Sequence, residues 1–551
     1  MEPEGELIPD MKGIRERRLI DVLRALAFIA ALLGAAGSVG SVLWTGRQQE
    51  SRILLLLFCL WALSPFMALL LANVASRRWS VVSRATLHGV MLVFSLVTLA
   101  IYGNVSLGPP KGKSAFLFIV VPPASLLLLA IIVPLTALTF GRLFQRPLDR
   151  RLRKDFSVLA MLCVMGVGTL LGSLWLEHRT ELELPKPTGS FAVGRAIYDW
   201  TDDAHEDALA PAPGTRREVL AWIWYPASGQ LGAKSDYVPA QVRPPASRSG
   251  GSSLLSLLTR DWSKVHAHGI DNADVSSQQK SYPALIMRGG ASAEVINYTT
   301  LAEDLASHGY IVVGIDAPYL TGRVVFPDSR VIERATANDP ELLVGRPEQA
   351  DRLNQLFAAW IADMRFVLDR LEQLNASDAS GKFKGRIDMK RVGAFGHSFG
   401  GAQAAQLCHE DSRCKAGVDI DGAPFGSVIQ EGIQKPFLFL LSDHGKSSDE
   451  ESRKIEADIQ KIYDSLPPGE RLSIMIRGSF HFTFSDDGAL LKSYVMRGLL
   501  RIFGKLQIDG RRQLAVTSYC LRTFFDSYLK EASISPPKLA SPQFPEIQAL
   551  E

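Results

Sequence analysis

Hydrophobic residues cluster along this chain in two different ways. Five long runs contain no Asp, Glu, Lys or Arg: Ala25–Trp44, Ile53–Ser76, Ala85–Pro110, Ser114–Gly141 and Phe156–Leu176. Each reaches the roughly 20 residues that a helix needs to cross a ~30 Å hydrocarbon layer. The apolar core of the third is nearer Ala85–Tyr102. With the charges collected between them, these runs predict an all-α transmembrane domain of five helices over 25–176, not a set of buried soluble helices. A signal peptide does not fit, because four more runs follow the first.

After Leu176 the period changes. A polar linker, 177–190, leads into strand-length apolar runs that alternate with helical stripes. The expected strands are Glu218–Pro226, Pro283–Met287, Tyr310–Ile315, Val392–Gly396, Ala416–Ile420, Pro436–Leu441 and Ser473–Ile476. The expected helices are Thr300–His308, Gln349–Leu374 and Asp509–Leu529, and the second carries Leu353, Phe357, Trp360, Met364, Val367 and Leu371 on one stripe. This pattern predicts an α/β domain over 191–530 with a mostly parallel sheet. Ala227–Ser281 breaks the alternation, being Ser/Gly/Pro-rich with one apolar island, Leu254–Leu258; it reads equally as a lid or as a surface excursion. Residues 531–551 read as a flexible, Pro-containing tail.

Charge sharpens this division. The whole chain carries a formal +3, but residues 1–180 carry +9 and the remainder −6. Neither the average nor the acidic second part suits a nucleic-acid binder. With residues 1–24 in the cytoplasm, 14 Lys and Arg fall in inside segments and 5 in outside ones, so the positive-inside rule fixes the orientation. An odd number of spans then puts the α/β domain outside the cytoplasm. The expectation is a multi-pass protein of a bacterial inner or plasma membrane. The spans hold His88, Tyr102, Cys59 and Cys163 but no charged side chain, which favours an anchor over a transporter. Gly34, Gly37 and Gly40 offer close helix packing.

The string Arg391-Val-Gly-Ala-Phe-Gly-His-Ser-Phe-Gly-Gly401 contains Gly396-x-Ser398-x-Gly400. Between an apolar strand and a helix, this is a nucleophile elbow. A sharp turn holds the serine at strained angles, and the helix that follows points its N–H groups at developing negative charge. The serine needs a base and an orienting acid, in the order Ser, Asp or Glu, His. Of the histidines after Ser398, His409 falls on the elbow helix and His444 sits beside a strand end. His481 lies in a loop after the last strand and is the expected base. Two acids at strand ends, Asp421 and Asp443, are open by spacing, whereas Asp419 lies inside its strand. The oxyanion donors are expected to be the backbone N–H groups of Phe399 and Ala291. Cys408 and Cys414 could form a disulfide in an oxidising compartment. No Cys/His cluster has zinc spacing, His266-x-His268 being too little, and no phosphate loop or dinucleotide fingerprint occurs. No metal or cofactor is expected.

Over roughly Gly189–Leu529 the sequence resembles the secreted, plasma-type platelet-activating factor acetylhydrolases and their bacterial relatives. The strings that carry the resemblance are Val219-Leu-Ala-Trp-Ile-Trp-Tyr-Pro226, Tyr282-Pro-Ala-Leu-Ile286, Leu305-Ala-Ser-His-Gly-Tyr-Ile-Val312, Gly396-His-Ser-Phe-Gly-Gly401, Gly417-Val-Asp-Ile-Asp421 and Ile476-Arg-Gly-Ser-Phe-His481. The resemblance implies an α/β-hydrolase fold and a Ser398–Asp421–His481 triad, with Asp421 preferred over Asp443. It also implies calcium-independent hydrolysis of short or oxidised sn-2 acyl esters of phospholipids. A general carboxylesterase or lipase, a cutinase-like polyester hydrolase and a non-enzymatic lipid-binding sensor or scaffold are the alternatives. Two features depart from the family: Arg288-Gly289-Gly290 stands where it has Ser-His-Gly, and the five-span N-terminal part is extra.

Overall fold

The computed structural model describes residues 11–46, 52–76 and 81–107, isolated positions from 118 to 172, and 175–550 apart from 232–233, 244–260, 292, 345, 444–449, 491–506 and 531–536. The chain divides into two compact units, Met1–Leu174 and Trp175–Glu551.

In the first unit, helices run over Met11–Thr45, Arg52–Ala75 and Val81–Leu107. Their segments Asp21–Thr45, Leu55–Val74 and Arg84–Gly103 are long and apolar enough to cross a membrane. These cover the first three expected runs. The other two, Ser114–Gly141 and Phe156–Leu176, lie outside the described residues except for scattered positions. Ala27, Ala31, Phe66, Leu69, Leu87 and Met91 fill the seam between the helices, while Leu33, Leu56, Leu71 and Leu96 face outward. The glycines of the first helix differ in their surroundings. A Cβ on Gly34 would meet the Phe66 ring at 2.5 Å and one on Gly37 would meet Leu99 at 2.3 Å, but Gly40 has nothing within 4 Å.

The second unit is built on a ten-stranded mixed sheet. Its order is Ile547–Ala549, Arg471–Ile476, Phe437–Leu441, Cys414–Ile420, Ile387–His397, Tyr282–Arg288, Ile311–Asp316, Arg216–Ala227, Ala192–Glu206, Ile270–Asp271. The six strands from Arg471–Ile476 to Ile311–Asp316 are parallel. Arg216–Ala227 runs antiparallel to both of its neighbours. Alternate residues of one strand serve opposite layers. Leu285 and Met287 pack with the helices Thr299–Ser307 and Gly510–Phe525, and Ala284 and Ile286 pack with Ala350–Ser377. Burial on both faces is why these strands read as continuous apolar runs.

Three segments differ from expectation. The polar linker is stitched into the unit: Leu182–Glu183 pairs in parallel with Val265–His266, and Leu182 and Leu184 are buried. The alternation Glu181-Leu-Glu-Leu184 has the period of a half-buried strand. The excursion Ala227–Ser281 contributes Ser235–Asp236 and Val265–Ala267 to that small sheet and Ile270–Asp271 to the large one; its island Leu254–Leu258 lies outside the described residues. The expected flexible tail packs. Ile547–Ala549 pairs antiparallel with Ile474–Ile476, Leu539 and Phe544 are buried, and Arg512 bonds Glu546 at 2.8 Å.

Candidate active site

Ser398 stands between the central strand Ile387–His397 and the helix Phe399–Glu410, at φ 56°, ψ −126°. The glycines around it are required by close approach. A Cβ on Gly396 would lie 2.2 Å from the Gly400 carbonyl oxygen, and one on Gly400 would lie 2.5 Å from the oxygens of Arg288 and Gly289. A Cβ on Gly401 would lie 1.8 Å from Asp419 Oδ1. The turn can be this tight only without side chains at those positions.

The loop after Arg471–Ile476 brings His481 to the serine, with Nε2 3.1 Å from Ser398 Oγ. On the other side, Nδ1 lies 2.7 Å from Asp421 Oδ2. A carboxylate only accepts, so Nδ1 carries the proton and the Nε2 lone pair faces the hydroxyl. Asp421 directly follows the strand Cys414–Ile420 and adopts φ 55°. Its oxygens also accept from the N–H and the hydroxyl of Ser442, both at 2.7 Å. Asp443, the other open acid, does not meet the imidazole; its Oδ2 accepts from the Gly478 N–H at 2.8 Å and fixes the start of the His481 loop. His409 bonds the Gly432 carbonyl at 2.7 Å, and His444 lies outside the described residues.

The N–H of Phe399 opens the elbow helix, where donors lack intrahelical acceptors, and no described residue accepts from it or from the Ala291 N–H. The loop runs beside the serine: a Cβ on Gly290 would sit in ordinary contact, 3.4 Å from Ser398 Cβ. Arg288 is buried, with Nε donating to Gln403 Oε1 at 2.9 Å, and burial lowers its guanidinium to about 10. The disulfide Cys408–Cys414 joins the end of the elbow helix to the start of the strand that leads to Asp421.

Sequence reasoning missed two groups beneath the serine. Asp419 is fully buried, accepts from the Gly422 N–H at 2.8 Å through Oδ1, and has no partner for Oδ2 among the described residues. Burial raises its carboxyl to about 8, with Asp421 adding to the effect. His397 is buried with its ring centre 4.6 Å from that of His481. Burial pushes it down to about 3, and the neighbouring His481 pushes the same way. A polar residue inside an apolar strand was the available signal for Asp419. None existed for His397.

Residues 367–532 match the family model for platelet-activating factor acetylhydrolase, isoform II. The chain is 25% identical over 418 residues to a probable 1-alkyl-2-acetylglycerophosphocholine esterase of Arthroderma benhamiae, covering 71% of this chain and 98% of that protein. It is 26% identical over 387 residues to the platelet-activating factor acetylhydrolase of Cavia porcellus, covering 66% of this chain and 84% of that one. Among solved structures, a ferulic acid esterase from Streptomyces cinnamoneus superposes with a TM-score of 0.54 at 26% identity, covering 68% of this chain and 100% of that one. The second unit thus has an α/β-hydrolase-like esterase fold, and its segment 367–532 is similar to the platelet-activating factor acetylhydrolase, isoform II, family.

Proposed function

We propose that this chain is a membrane-anchored serine esterase that cleaves short or oxidised sn-2 acyl esters of phospholipids, or similar lipid esters. The observation that carries the proposal is the linked pair of hydrogen bonds at one strained turn, Ser398 to His481 at 3.1 Å and His481 to Asp421 at 2.7 Å. In this reading Ser398 Oγ attacks the ester carbonyl while His481 Nε2 takes its proton. Asp421 holds the imidazole in the tautomer that leaves Nε2 free to accept, and it stabilises the imidazolium. The Phe399 and Ala291 N–H groups receive the oxyanion. His481 then returns the proton to the departing alcohol, and water hydrolyses the acyl-enzyme with the same base.

The substrate class draws its support from relatives named as acetylglycerophosphocholine esterase and platelet-activating factor acetylhydrolase. Anchoring draws its support from three helices long and apolar enough to span a membrane. Five spans over 25–176, a catalytic domain that takes in the paired segment Leu182–Glu183 and the packed tail as well as 191–530, and an extracytoplasmic site complete the proposal. The test uses the full chain in detergent with a fluorophosphonate probe and a panel of acetyl, butyryl and long-chain esters, a short-chain phospholipid and a polyester. Labelling and turnover that vanish in Ser398→Ala support the proposal. Labelling that survives in Ser398→Ala refutes the nucleophile, and preference for the polyester refutes the substrate class.

A further inference from the structure

The loop that carries Ala291 is held from behind by one phenol. Tyr298 is 2% exposed. Its oxygen accepts from the Gly290 N–H at 3.0 Å and shares a 2.8 Å hydrogen bond with His397 Nδ1. Three elements therefore meet at this hydroxyl: the loop after Tyr282–Arg288, the residue before Ser398, and the start of the helix Thr299–Ser307. Gly290 immediately precedes Ala291. With the Gly290 N–H committed to the phenol, the orientation of the next peptide, which bears the Ala291 N–H, is restricted. The Gly290 carbonyl is engaged as well, accepting from the Ala293 N–H at 3.0 Å.

The same phenol acts on the other side of the serine. His397 packs between Tyr298, at 5.8 Å between ring centres, and His481, at 4.6 Å. Its Nε2 is buried with no hydrogen-bond partner among the described residues, and the bond to Tyr298 holds its Nδ1. A phenol that donates to Nδ1 keeps His397 neutral. A second imidazolium beside His481 would oppose proton uptake by the base.

We infer that Tyr298 is a positioning residue for the reaction: its hydroxyl, tied to Gly290 and His397, sets the Ala291 N–H toward Ser398 and fixes the neutral ring beside His481. This rests on the reading of Ser398 as nucleophile given above. Tyr298 touches no reacting atom, so its effect should be specific to the transition state.

The experiment compares Tyr298→Phe with the unmodified full chain in detergent, using p-nitrophenyl acetate. The ring and its packing stay and one oxygen goes. Losing an oxyanion donor outright costs ~10²–10³ in kcat, so losing its alignment should lower kcat roughly 10- to 100-fold. KM should stay within about twofold. Affinity for a trifluoromethyl ketone, which forms a tetrahedral adduct on the serine, should fall by the same factor as kcat/KM. His397→Asn, which can still bond the phenol, should keep most of the rate that His397→Leu loses. Unchanged kcat/KM in Tyr298→Phe, or a loss confined to KM, overturns the inference. If Tyr298→Phe does not fold, the His397 pair decides: equal losses in Asn and Leu overturn it. Ser398→Ala separates the two levels. An active Ser398→Ala refutes the nucleophile and this inference with it. An inactive Ser398→Ala beside an unimpaired Tyr298→Phe refutes the inference alone.

Discussion

Replacing Asp419 by Asn should remove a large pH dependence from the stability of the second unit. The carboxyl is fully buried, one oxygen has no partner among the described residues, and its folded value is raised from 3.8 to about 8. Between those two values the folded state holds a proton that the unfolded state has released. The stabilisation is complete below pH 3.8, declines as pH rises and levels off above about 8. From pH 5 to pH 8 the loss is close to three pH units at 1.36 kcal/mol each, or about 4 kcal/mol. A unit of roughly 380 residues unfolds with an entropy near 0.8 kcal/mol/K, so 4 kcal/mol corresponds to about 5 °C. Asn keeps the shape and the acceptor for the Gly422 N–H but cannot ionise. The assay follows tryptophan fluorescence of both proteins during heating at pH 5, 6, 7 and 8. The midpoint of Asp419→Asn relative to the unmodified protein should climb by about 5 °C across the series. Other raised carboxyls, such as Asp316 at about 7, titrate in both proteins and cancel in the difference. A flat difference would mean that Asp419 is already ionised in the folded state and that burial does not hold its proton.

Further outcomes follow from other contacts. Asp421→Asn should keep the fold yet lower kcat by ~10⁴, because an amide bonded to Nδ1 favours the tautomer that puts the proton on Nε2; a loss under tenfold in steady-state assays would count against Asp421 as the orienting acid. Arg217, buried between Asp207 at 2.7 Å and Asp363 at 2.8 Å, should not tolerate Met. Two buried carboxylates would lose their cation at a cost of roughly 3–5 kcal/mol, and a thermal midpoint within a degree of the unmodified protein would contradict this.

Much of the site could be read from the chain because its chemistry is tied to local geometry. A serine between glycines must sit on a turn if a strand precedes it and a helix follows, and the base must come from a loop late in the fold. The choice between Asp421 and Asp443 could not be read from spacing. Both stand at strand ends, and only the path of the His481 loop, which one of them anchors and the other orients, separates their roles. The small sheet was hidden for a different reason. Its strands Leu182–Glu183, Ser235–Asp236 and Val265–Ala267 are two or three residues long and far apart in sequence. Pairings this short exist because of the tertiary contacts around them, and the four-residue alternation Glu181–Leu184 is too brief to mark a strand without its partner. The tail escaped notice because prolines and polar residues mask Leu539 and Phe544, whose burial depends on a surface built by other segments.

Ser398 and Asp421 share a feature that bears on how such a protein could be improved. Both hold left-handed backbone angles, φ 56° and 55°, that cost a non-glycine residue free energy. Glycine at Ser398 would relieve that cost and remove the proposed nucleophile, whereas at Asp421 it would also forfeit the hydrogen bonds from Ser442 and His481. A thermostability screen run without an activity gate would therefore be rewarded for disarming the protein. Laboratory evolution of this scaffold needs a turnover selection in every round, because at Ser398 heat tolerance and the proposed catalysis pull in opposite directions.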